Sequence, residues 1–116
     1  MSGGPANGVI LVRPLEGKKS EVEAFLTKNL KDIRENVPGV LIAYHFWASE
    51  KNLFVVVESF DSLESMFKYG NSKYHEGMVG DIMELVQKPL EAFSDQDSSE
   101  AMQEFRKTAQ AEHISV

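Results

Sequence analysis

Between residues 8 and 93 the spacing of apolar residues switches in a set order: alternation, helical spacing, alternation, alternation, helical spacing, alternation. The first run, Val9-Ile10-Leu11-Val12-Arg13, is short and β-branched, and Pro14 and Gly17 close it. From Ser20 the period lengthens, with Val22, Phe25, Leu26, Leu30 and Ile33 three or four apart and charged residues between them, which predicts an amphipathic helix. Asn36 and Pro38-Gly39 stop it. Val40 to Trp47 and Leu53 to Phe60 read as two strands joined by the polar loop Ser49-Glu50-Lys51-Asn52. Asp61, with Glu64 as its capping-box partner, then opens a second helical region. It breaks at Gly70-Asn71, restarts near Ser72, carries Met78, Val79, Ile82, Met83, Leu85 and Val86, and ends at Pro89. Leu90 to Phe93 has the alternation of a fourth strand. The order is βαββαβ, an α+β fold of the ferredoxin-like kind with an antiparallel four-stranded sheet.

A chain of 116 residues with 42% apolar content supports one core and is too small for two. The reading divides it into a flexible tail over 1–8, a domain over 9–93, and a linker with a C-terminal helix over 94–116. Asp97 and Glu100 are expected to cap that helix, which would run to about His113 with Met102, Phe105 and Ala109 as a thin apolar stripe, lying on the domain or on a second subunit. The absence of cysteine excludes disulfides and thiolate metal sites. A net charge of −6, with basic residues dispersed among acids, argues against nucleic acid. No apolar run is long enough to span a membrane, and the first eight residues carry no signal pattern. The expectation is a soluble cytoplasmic protein without a membrane partner.

Strand periodicity assigns Val40, Ile42, Tyr44 and Phe46 to one face and Leu41, Ala43, His45 and Trp47 to the other. In the following strand Phe54 and Val56 oppose Leu53, Val55 and Val57. A face left in water would be polar, so apolarity on both sides implies a second layer over the sheet and hence a homodimer.

Chemistry is confined to a few polar groups among aromatic ones. Tyr69, Tyr74 and His75 cluster around the break at Gly70-Asn71, and such a break favours a pocket between helix and sheet. His45 lies within an apolar strand, where a hydrogen-bonded core or interface role competes with that of a base. Glu58 stands alone on an apolar strand and reads as a buried acid paired with Arg13 or Lys88, ahead of the alternative of an edge residue facing water. His75-Glu76 begins like a zinc-binding His-Glu-x-x-His helix, but the second histidine position is Val79. With no histidine cluster and no glycine-rich nucleotide turn, no metal, flavin or haem is expected.

The glycine turn and charged helix after the first strand, Pro38-Gly39-Val40 opening the second, and Phe54 to Asp61 leading into a helix that restarts at Asn71-Ser72-Lys73-Tyr74 together resemble the antibiotic biosynthesis monooxygenase (ABM) domain. The resemblance covers about three quarters of the chain. Phe54, Glu58 and Phe60 occupy the positions where that family usually has Phe, Glu and Trp, and Tyr74 and His75 fall at its aromatic or histidine position. It implies a dimeric α+β barrel and cofactor-independent oxygenation of an aromatic or polyketide-derived phenol or anthrone by molecular oxygen. Such a reaction needs an apolar pocket, a general base and an oxyanion donor.

On that reading the base is His75 or His45, with Tyr74 as a further catalytic candidate. Trp47, Tyr44, Phe60, Tyr69 and Met78 are the substrate-binding candidates. The resemblance also admits non-oxidative cyclisation or isomerisation of a polyketide on the same pocket, and a dimeric binding module without turnover. Haem degradation fits poorly, because Val79 stands at the position of the histidine ligand and Tyr69 at that of the nearby Trp.

Overall fold

A computed structural model describes residues 4–107 and 114–115. The elements run β1 (Ala6–Val12), α1 (Lys19–Asn36), β2 (Val40–Ala48), β3 (Leu53–Phe60), α2 (Leu63–Gly70), α3 (Lys73–Ile82), β4 (Leu90–Ser94), α4 (Glu100–Lys107) and β5 (Ile114–Ser115). Four antiparallel strands stand in the order β2-β3-β1-β4, as the ferredoxin-like arrangement requires, and β5 adds a parallel edge beside β4. The start of β1 moves three residues ahead of the expected Val9, because Ala6 to Gly8 pair with Phe60 to Glu58. The expected continuation of the C-terminal helix to about His113 falls on residues 108–113, outside the described residues.

Helices α1, α2 and α3 cover one face. Val22, Leu26, Leu30 and Ile33 of α1 and Met78, Val79 and Ile82 of α3 are buried against Phe54, Val56 and Phe60 of β3. At Gly39 the chain turns with φ +86°, and a Cβ there would meet Ser65 at 2.5 Å, so this junction admits only glycine. Three boundaries differ from expectation. Ser62, not Asp61, caps α2, because its side chain accepts from Ser65 N–H at 3.1 Å while Asp61 takes the Ser65 hydroxyl. Helix α3 ends at Ile82 rather than running through Val86, which instead bridges to Pro14. Ser99, not Asp97, accepts from the first turn of α4, from Met102 N–H at 3.1 Å, while Asp97 accepts from Ser94 N–H.

The opposite face carries rows of apolar side chains with no layer over them among the described residues. Tyr44, Val57, Val9 and Phe93 form one row across β2-β3-β1-β4, and Phe46, Val55 and Leu11 begin the next. Tyr44, Phe46 and Phe93 are each about half exposed.

Candidate functional site

The break between α2 and α3 is built by Ser72. Its hydroxyl donates to the Tyr69 carbonyl at 2.6 Å and accepts from His75 N–H at 3.4 Å, ending one helix and starting the next. Tyr69 and His75 consequently lie on the inner side of the break, both buried, with ring centroids 5.3 Å apart and planes 84° apart. Phe60 stacks behind Tyr69 at 5.6 Å, and the Tyr69 hydroxyl points at Met78 Sδ, 3.9 Å away, a weak acceptor.

Beneath them β3 presents Glu58. The two-residue period that turns Phe54, Val56 and Phe60 toward the helices turns Glu58 inward as well. Its cross-strand neighbours are Gly8 and Ala43, too small to fill the space beside it. A cavity of about 100 Å³ results, in which Glu58, Tyr69 and His75 meet the apolar walls of Ile10, Met66 and Phe105.

The electrostatics follow from burial. Glu58 Oε2 accepts no hydrogen bond among the described residues, and burial alone pushes the carboxyl up from 4.5 to about 7. The Tyr69 phenol is also pushed up, first by burial and then by the charge of Glu58. The expected ion pair of Glu58 with Arg13 or Lys88 does not form. Arg13 instead reaches Glu91 at 3.0 Å, because β4 lies beside β1 and offers an acid at the surface.

Residues 8–80 match the family model of antibiotic biosynthesis monooxygenases. The chain belongs to that family. Membership supports a monooxygenase-like function. Among solved structures, Rv0793 from Mycobacterium tuberculosis has 16% identity and a TM-score of 0.71, covering 78% of this chain and 91% of that one. Protein SO0527 from Shewanella oneidensis has 18% identity and a TM-score of 0.70, covering 81% and 92%. At these identities the likeness is one of fold. No curated protein sequence matches the chain.

Within this ABM-family domain the sequence-derived candidates separate into groups. His75, Tyr69, Phe60 and Met78 come together at or directly behind the cavity. Tyr74, although next to His75, turns away and lines surface grooves beside Phe25 and Pro38, because neighbours in a helix face about 100° apart. His45 and Trp47 pack on the helix-covered face at the α1 end, both against Phe54, with Glu23 3.7 Å from the His45 ring and Lys19 over Trp47 at 4.0 Å. Tyr44 stands on the outer face of the sheet.

Glu58 was absent from the sequence-derived site, though its signal was present: one acid at an inward-facing register of an otherwise apolar strand. Among the described residues no three histidine or carboxylate side chains converge to hold a metal ion. No helix among them is long and apolar enough to cross a membrane.

Proposed function

We propose that this protein is a cofactor-independent monooxygenase acting on a small phenolic or otherwise acidic aromatic compound, with Glu58 as the general base. The observation that carries the reading is a buried carboxyl, with no hydrogen bond to Oε2 among the described residues, facing an apolar cavity beside Tyr69 and His75. A carboxyl with a pKa of about 7 is partly ionised at neutral pH and basic enough to take a proton from a phenol or an activated methylene. This replaces a histidine as the base. His75 and the Tyr69 hydroxyl, whose acceptor among the described residues is the Met78 thioether, become the donors to the developing oxyanion.

The steps balance with molecular oxygen as the sole oxidant. Glu58 removes a proton from the substrate, the resulting anion passes an electron to oxygen, and recombination of the two radicals with a proton gives a substrate hydroperoxide. Loss of water then leaves a carbonyl or quinone. The cavity of about 100 Å³ is small beside the roughly 300–1,000 Å³ of typical small-molecule sites, which favours a single ring in the pocket. A polyketide-derived anthrone would place its remaining rings outside.

The reading includes a homodimer. The uncovered rows through Tyr44, Phe46 and Phe93 form an apolar sheet face of the kind that requires a second layer, and a second copy of the same face supplies one. Phe46→Asp is expected to turn a sedimenting dimer into a monomer; a wild-type monomer at micromolar concentration would defeat this part.

The function is tested with hydroquinone and an anthrone in an oxygen electrode, with product analysis. Oxygen consumption that Glu58→Gln abolishes supports oxygenation. Product without oxygen consumption assigns the same pocket to non-oxidative cyclisation or isomerisation, and neither outcome leaves a binding module.

A further inference from the structure

The family match ends at residue 80, yet the cavity has a wall from beyond it. Helix α4 contributes Met102, which is buried, and Phe105, whose ring stacks on Phe67 of α2 with centroids 4.9 Å apart and planes 17° apart. The same ring sits on Gly70 at the end of α2, where a Cβ would lie 2.6 Å from Phe105 Cζ. Gly70 is thus the seat of Phe105, and no larger residue allows the ring so close. The approach to α4 is held to the sheet. Asn7 donates to Asp95 from its backbone N–H at 3.0 Å and from its side-chain amide at 2.6 Å, and Ser99 caps the first turn. An eight-residue helix has little stability of its own, so its position depends on these anchors.

We propose that α4 is the specificity-determining wall of the cavity, with Phe105, seated on Gly70, limiting the occupant to a single aromatic ring. This rests on the cavity being the substrate site, as argued above, and deepens it by naming what sets the substrate's size. Removing the Phe105 ring extends the cavity toward Phe67 and α4, where a second fused ring would lie on apolar surface. A Cβ at Gly70 displaces the same ring from the other side.

The test is binding of phenol and of 1-naphthol to the full-length protein, followed by NMR titration, in wild type, Phe105→Ala, Phe105→Leu and Gly70→Ala. Wild type is expected to favour phenol. Phe105→Ala should shift the phenol-to-naphthol preference toward naphthol by about tenfold or more, the scale of a change in apolar pocket volume. Gly70→Ala should shift it in the same direction, and Phe105→Leu, which keeps an apolar side chain and preserves the fold if Ala does not, should fall between. An unchanged ratio in Phe105→Leu and Gly70→Ala, or the failure of both probes to bind wild type, overturns the proposal. Turnover separates this from the functional reading: a shift in preference without any oxygen consumption retains α4 as the size-setting wall and removes the oxygenase.

Discussion

The two ends of the helix-covered sheet face carry similar side chains and differ in what surrounds them. At the α1 end His45 and Trp47 pack against Phe54, and charged residues of α1 reach both from the surface. Lys19 and Glu23 themselves stay exposed to water. At the α2–α3 end Gly8 and Ala92 form a low floor beside the helix break, and Glu58 is buried with Tyr69 and His75 at the cavity they line. A histidine and an aromatic ring on the same sheet face thus pack against Phe54 at one end and border a cavity with a buried acid at the other. The difference is an empty volume next to a desolvated acid.

The sharpest way to break this contrast is to remove the acid. Glu58→Gln is expected to lower oxygenase turnover by about 10²–10⁴-fold, the range for loss of a general base, whereas His45→Ala should leave the rate nearly unchanged. Equal losses in steady-state oxygen consumption would show that the two ends are not distinct. His75→Ala is expected to cost roughly 10²-fold, as for an oxyanion donor, and Tyr74→Phe almost nothing, since that ring lies outside the cavity. The rate should rise with pH around an apparent value of about 7 and lose that limb in Glu58→Gln.

Stability supplies an independent measure. Raising a carboxyl from 4.5 to about 7 corresponds to ~3 kcal/mol between its two protonation states. Between those values the unfolded chain has released the proton and the folded chain still holds it, so wild-type stability should fall as pH rises across this window and level off above it. Urea unfolding at about pH 8 should find Glu58→Gln more stable than wild type by up to ~3 kcal/mol, with the difference vanishing near pH 4. A wild type that gains stability from pH 4.5 to 7 through this group would mean that Glu58 has found a cationic partner. The smallest effect belongs to the other end of the face: Lys19→Ala should cost only ~0.5–1 kcal/mol, the scale of an exposed cation–π contact, with no change in turnover.

Much of the fold was legible because its signals are local. The two-residue period of Phe54, Val56, Glu58 and Phe60 sets which side chains share a face, and the three-to-four spacing of Val22, Leu26, Leu30 and Ile33 sets the buried stripe of α1. The break at Gly70-Asn71 was readable from turn chemistry, and with it the meeting of Tyr69 and His75. The end of α3 was not: the apolar spacing continues to Val86, but Val86 is drawn out of the helix to pair with Pro14, a residue distant in sequence.

The sequence by itself determined the order of the elements and the two-sided apolar sheet, since each depends on neighbours a few positions away. Only the tertiary structure decided that Arg13 is drawn to Glu91 and not to Glu58, because that choice depends on β4 pairing with β1. It also decided that Phe105 meets Gly70 across 35 positions of chain, and that Tyr74 faces away from the space His75 enters. A cavity is the volume that several distant elements together fail to fill, and no local spacing specifies it.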